Sequence, residues 1–251
     1  MYKRQDVERE VRLDDLPPAR HEHEPSEAGQ DEHRDHTDDD ADDRGFEGFN
    51  LLQFVLEQGL ELDVKAEMQR RVFDRFGMTN TSMQWRDDFA DNLADGYAID
   101  GSFEPHDERS NVRAAGSMDT TIADQARLWA GVLAGAGISP ESRAELVRPQ
   151  LPIWTARQFP SLIEKEDSRG AEIGLAAGLG LVTFDAGHGR TWFKGGHNDW
   201  TGNMLVCQEQ ARRCVVLLAN SVRAELIYPD IVRFILGETG MPWWWEYGIE
   251  E

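Results

Sequence analysis

The stretch "WFKGGHNDWTGN", residues 192–203, places a lysine before two glycines inside strand-like sequence. Lysine is scarce here, with 4 lysines against 22 arginines. A strand without Cβ atoms at two successive positions lets another backbone approach closely, and a neighbouring cation attracts a carboxylate. Taken alone, the stretch also reads as a tight Gly-Gly bend carrying a solvated lysine. Ser117, His197 and Asp199 can be assembled on paper into a nucleophile, base and acid, but no local pattern demands it. Gly-x-Ser-x-Gly is absent, since "AGSMD" lacks the second glycine. His188 and His197 flank a predicted strand without acids at ligand spacing, which does not make a metal site. No metal and no cofactor is expected. Cys207 and Cys214 flank "QEQARR", a predicted hairpin turn that could set them face to face across two strands. They are read as two small buried apolar residues.

Composition narrows the partners. Acids outnumber bases 47 to 26, for a net charge of −21 over 251 residues. Such a surface repels phosphate backbones and excludes nucleic-acid binding. Apolar runs fall short of the roughly 18–20 residues a bilayer span needs. The opening "MYKRQDVEREVRLDD" has no signal-type apolar stretch, so no membrane partner and a cytoplasmic location are expected. The arginine bias and excess acid fit either a high-salt cytoplasm or GC-rich coding.

The elements that must position residues 192–203 follow from period and punctuation. Residues 1–45, with "HEHE", "DEHRDH" and "DDDADD", carry hardly any apolar residues and read as a disordered acidic tail. Its histidines, His21, His23, His33 and His36, belong to a solvated tail rather than a metal site. Ordered character begins at Phe46. In "FEGFNLLQFVLEQGLELDV", Phe49, Leu52, Gln53 and Leu56 set a helical spacing, and Leu51, Phe54 and Val55 widen its apolar face. A second helix is capped by Asp63, ended by Gly77, and buries Val64, Met68, Val72, Phe73 and Phe76. A third follows Thr120 or Thr121 and runs through Ile122, Ala126, Leu128, Trp129 and Leu133. "SPESRAELVRPQ" is a short fourth helix with serine at the cap and proline at the first position. From residue 174 the period becomes extended. "GLGLVTFDAGHGRTWFKGG" reads as strand, turn, strand, and "TGNMLVCQEQARRCVVLLANS" as a hairpin whose second strand is apolar enough to be central in a sheet. "AELIYPDIVRFILGE" is a helix covering that sheet, and "PWWWEYG" packs aromatically in a tail, 238–251. Helices, then three or four antiparallel strands, then a helix make an α+β fold.

Five strings in order resemble the serine β-lactamase and penicillin-binding superfamily, on the side of class C β-lactamases and related esterases and peptidases. "RVFDRFGMTNTSM" resembles a helix ending in that family's Leu-Gly-Met-like turn followed by threonine. "AAGSMDTTIADQARLWAGVLAG" resembles its small-residue loop leading into a Thr-x-x-Asp helix. "GLGLVTF", "KGGHNDWTGN" and "VVLLANS" resemble its closing antiparallel strands. The resemblance covers residues 46–237. In that family a Lys-Thr-Gly or His-x-Gly triplet lies on a strand edging the active site, which implies the same for Lys194-Gly195-Gly196. Lys194 would attract a substrate carboxylate or polarise a hydroxyl network. The glycines would admit a substrate backbone, and the His197 N–H would meet a developing oxyanion. Lys194, Gly196 and His197 are therefore the candidate catalytic residues. Gly195 stands where penicillin-recognising members carry a hydroxyl.

Two departures bear on activity. The family nucleophile lies in Ser-x-x-Lys, and this sequence contains no such pattern; "SLIEK", residues 161–165, is one residue too long. Where Tyr-x-Asn or a Tyr-Ser-x relative belongs, "DDRGFEGF" has Arg44 in the tyrosine's place. The expected function is a serine hydrolase acting on an ester, amide or β-lactam, truncated or inactive for want of its nucleophile half. The alternatives are a non-catalytic binding module, or one part of a split hydrolase whose other part supplies Ser-x-x-Lys. The expected partners are a small acyl substrate and a complementing N-terminal half. Without that half, groups such as Val215, Leu217 and Phe234 would be incompletely buried.

Overall fold

Cap residues write the helix boundaries in the computed structural model, which describes residues 47–158 and 165–250. The expectation of a disordered tail over 1–45 lies outside these residues. Helix α1, Glu47–Phe54, runs into a π-turn at Val55–Gly59. Asp63 then accepts a hydrogen bond from the Ala66 amide and starts α2, Val64–Met68. This helix continues through a π-turn at Gln69–Phe73 into α3, Asp74–Phe76. Gly77 closes it at φ 65°, a left-handed conformation that a Cβ would strain. The small hairpin of β1, Gly96–Tyr97, and β2, Phe103–Glu104, follows. Thr121, accepting from the Asp124 amide, starts α4, Ile122–Leu133; Ser139 and Pro140 start α5, Pro140–Leu146.

The sheet has six antiparallel strands in chain order. They are β3 (Leu151–Pro152), β4 (Ala176–Ala177), β5 (Val182–Phe184), β6 (Thr191–His197), β7 (Gly202–Gln208) and β8 (Arg213–Ala219). Helix α6, Ser168–Glu172, lies between β3 and β4. After β8 come a 3₁₀ turn at Val222–Ile227, α7 (Tyr228–Leu236) and α8 (Trp243–Glu246).

Period-2 alternation divides the sheet's side chains between two cores. Phe193, Met204, Val206 and Val215 face Tyr228, Val232 and Leu236 of α7 and Trp243 and Trp245 of α8. Trp192, Leu205 and Cys207 face the other way, onto Leu133 of α4 and Leu181. A third cluster, Phe73, Met78 and Met83, holds the helices around α3. The α+β layout expected from the sequence is the one observed.

Four expectations need correction. The strand read as central, β8, ends the strand order. It is apolar because α7 takes Val215 on one face while the α4-side cluster takes Val216 on the other; burial on two faces looks the same in sequence as a central position. The apolar face of α1 is not buried: Leu51, Leu52, Phe54 and Val55 are each at least half exposed. Polar contacts hold the helix instead. Gln53 Nε2 donates to Val112 O at 3.1 Å, and Gln53 Oε1 and Asn50 Oδ1 accept from the amides of Ala114 and Ala115. Val215 is well buried, 5% exposed, whereas Phe234 on the outer side of α7 is 91% exposed. Finally, Cys207 and Cys214 are not separate apolar residues but a disulfide across β7 and β8, because register sets them opposite with Cα atoms 4.1 Å apart. Such a bond is typical of oxidising compartments rather than the cytoplasm. No helix among the described residues is long and apolar enough to cross a membrane.

Candidate active site

Strand β6 pairs with β7 along its full length, from Thr191↔Gln208 to His197↔Gly202. On its other side it pairs with β5 only from Thr191 to Phe193. Residues 194–197 thus present a backbone edge with no strand partner among the described residues.

Ladder parity says which peptide groups line that edge. A Cα separation of 4.1 Å marks Cys207–Cys214 as a pair without mutual backbone hydrogen bonds. The Cys207 peptide groups therefore face β6, where its register partner is Trp192. Counting along β6 by twos, Trp192, Lys194 and Gly196 address β7. Gly195 and His197 turn their N–H and C=O groups toward the open edge. The His197 amide thus has the direction that an oxyanion donor requires.

The side chains alternate as well. Lys194 lies on the face shared with Trp192, and Gly195 on the face shared with Phe193. The Lys194 ammonium donates to Gly195 O, one of the carbonyls on the open edge. Its side chain touches solvent, yet the protein crowded around the ammonium lowers its pKa below the ordinary lysine value, while the charge of Glu246 acts in the opposite direction. A Cβ on Gly196 would meet nothing within 4 Å, so packing does not demand glycine there and the space beside it is open.

The end of the edge is held by a residue that sequence reasoning missed. Asn198 Oδ1 accepts from the amides of Trp200 and Thr201 at 2.9 and 2.8 Å and from Thr201 Oγ1 at 3.2 Å. The available signal was an asparagine in "HNDWTG", a residue type whose side chain closes turns on its own backbone. The β1–β2 hairpin docks on this turn through the Tyr97 amide, which donates to Trp200 O at 3.0 Å.

The other candidates do not join the edge. Ser117 is buried, its Oγ 2.9 Å from Met83 O, Arg113 O and Arg113 N, so its hydroxyl is engaged by Arg113 of its own loop and by Met83 of a separate segment. Asp199 and His188 are exposed on turns. Among the described residues no group of three or more His, Cys, Asp or Glu is placed to hold a metal ion.

The Beta-lactamase family model matches residues 47–233. The chain belongs to that family. No protein of curated function matches it in sequence. Its fold is similar to that of a penicillin binding protein from Bacillus halodurans, with TM-score 0.56 and 19% identity over 75% of this chain and 54% of that one. It is also similar to the octameric penicillin-binding protein homologue from Pyrococcus abyssi, with TM-score 0.58 and 14% identity over 78% and 42%. A D-amino acid amidase from Ochrobactrum anthropi SV3, in complex with L-phenylalanine amide, gives TM-score 0.51 and 18% identity over 69% and 49%. At such identities these likenesses show the fold alone. The chain spans about half the length of the structures it matches. The family match ends within α7, so the segment carrying α8 lies beyond it.

Proposed function

We propose that this member of the β-lactamase family carries the substrate edge of a serine hydrolase acting on an ester, amide or β-lactam. On its own it holds the acyl group without forming an acyl-enzyme. The observation that carries this reading is the edge of β6 that has no strand partner among the described residues, where the Gly195 and His197 peptide groups face outward. An acyl carbonyl laid against it accepts from the His197 N–H, and the rest of an extended substrate continues the strand pairing. Lys194 supplies a cation on one face, and the open space beside Gly196 leaves room for substrate atoms. Negative charge developing on the carbonyl oxygen is stabilised by the same amide, the contribution an oxyanion donor makes.

Acyl transfer also needs an activated nucleophile. Ser-x-x-Lys does not occur in the 251 residues, and the Ser117 hydroxyl is engaged by Met83 and Arg113. In this reading the serine and lysine come from a complementing segment of the same fold. Two measurements test it on the full chain. Intact-mass spectrometry after incubation with a fluorophosphonate or a fluorescent penicillin should show no adduct. Titration of ¹⁵N-labelled protein with an N-acyl amino acid ester should move the Gly195 and His197 amide resonances first. A stoichiometric serine adduct overturns the claim about the nucleophile; unmoved 195 and 197 amides overturn the edge.

A further inference from the structure

We propose that the C-terminal segment beyond the family match is built into this edge, with Glu246 filling the side-chain position of residue 195 and acting as a positioning residue for Lys194. This rests on reading residues 194–197 as the substrate edge, but its test needs no turnover.

The steric observation comes first. A Cβ built on Gly195 would lie 1.6 Å from Glu246 Oε1 and 2.8 Å from its carboxyl carbon. Glu246 is 6% exposed, so its carboxylate is packed behind the strand rather than passing over it in solvent. A hydroxyl-bearing residue at 195 therefore cannot coexist with the present position of Glu246. The glycine at 195 answers to the glutamate.

The segment that bears this carboxylate is anchored on both sides of it. Trp243 and Trp245 are buried in the core against Phe193, with the Phe193 and Trp245 rings 6.2 Å apart. Trp245 Nε1 donates to Thr155 Oγ1 at 3.1 Å, and the Gln158 amide donates to Trp245 O at 2.8 Å. Arg169 sits 4.2 Å over the Trp244 ring and reaches Glu250 at 2.8 Å. With its side-chain nitrogen turned toward the carboxylate, Gln158 also lies 2.7 Å from Glu246 Oε2.

A carboxylate is an expensive way to fill space beside Met204, where an apolar side chain would pack at lower cost. Its charge is what an apolar residue could not provide. The charge of Glu246 acts on the Lys194 ammonium, against the desolvation that weakens it. Strand β6 thus carries an ammonium on one face and a carboxylate on the other, with the open peptide groups of Gly195 and His197 between them. Behind the same strands lie Glu225, Tyr228 and Tyr247. The Tyr247 phenol is pushed well above its ordinary value by burial and by Glu246 and Glu225, so these groups share one field.

The experiment uses the full chain and its 4 lysines. Dimethylation with ¹³C-formaldehyde gives few lysine signals, and Lys194→Arg assigns the one at issue. Glu246→Gln keeps the shape and removes the charge; the Lys194 signal should then titrate at a lower pH than in the unaltered chain. Gly195→Ser should lower the melting temperature by several degrees in the unaltered chain, and by little in a Glu246→Ala background. Gly195→Ala repeats the comparison with a smaller group if the serine variant does not fold. The proposal is overturned by additive losses in the double variant, or by a Lys194 titration that Glu246→Gln leaves unmoved. Neither result depends on whether a nucleophile is supplied, so failure here is distinct from failure of the edge to bind acyl groups.

Discussion

Helix α1 and the segment around α8 are both short and both rich in large apolar residues, yet they meet opposite fates. In α1, Leu51, Leu52 and Phe54 are 63%, 53% and 61% exposed, and the helix is tethered by the amides of Asn50 and Gln53. In α8, Trp243 and Trp245 are 3% and 5% exposed because the α7 face of the sheet is there to receive them. Apolar composition predicts that a segment needs a partner surface; it does not say whether the described chain provides one. The difference separates a segment that stabilises the fold from one whose outward face is an apolar patch.

The largest effect should come from the buried side of this comparison. Trp245→Ala removes a buried ring against Phe193 and the hydrogen bond to Thr155, and should cost about 3–5 kcal/mol in urea unfolding. A cost below about 1 kcal/mol would mean that the segment is not part of the core. Next, Gln53→Ala deletes both the donor to Val112 and the acceptor of Ala114, and should cost about 1–2 kcal/mol by the same measurement. No loss would show that α1 is not held by polar contacts. The smallest change in stability, about 0.5 kcal/mol or less, is expected for Leu52→Ser on the exposed face. The same substitution should reduce binding of a hydrophobic dye, and unchanged dye fluorescence would remove α1 from the apolar patch.

What could be read from the sequence, and what could not, divides along the range of the interactions. The caps at Asp63 and Ser139, the cap at one of Thr120 and Thr121, and the stop at Gly77 depend on atoms a few residues away, and each was legible; the structure places the threonine cap at Thr121. So were the hairpin of β7 and β8, from its period and turn, and the aromatic packing of "PWWWEYG". Strands β3 and β4 are 2 residues each, too short to leave a period. The outward face of α1 and the edge position of β8 depend on which surfaces lie alongside, which no local pattern encodes. At the site, Lys194, Gly196 and His197 were singled out from their string and its resemblance to a family. Glu246 was invisible because it meets Gly195 from 51 positions further along the chain. Asn198 was overlooked although its turn chemistry was on display.

The disulfide has a kinetic side. Cys207 and Cys214 are separated by 7 positions and aligned by a hairpin whose seven register pairs do not depend on the bond. A cross-link closing so short a loop removes about 2–3 kcal/mol of chain entropy from an otherwise free chain, but the folded hairpin has already brought its ends together. Reduction should therefore leave the two thiols facing each other, at an effective concentration that thiols in solution do not match. Once the reductant is replaced by oxidised glutathione, one thiolate opens the glutathione disulfide to a mixed disulfide and releases one glutathione. Attack by the facing thiol, which releases the second glutathione, should then be first order, independent of protein concentration, and fast enough that the mixed disulfide does not accumulate.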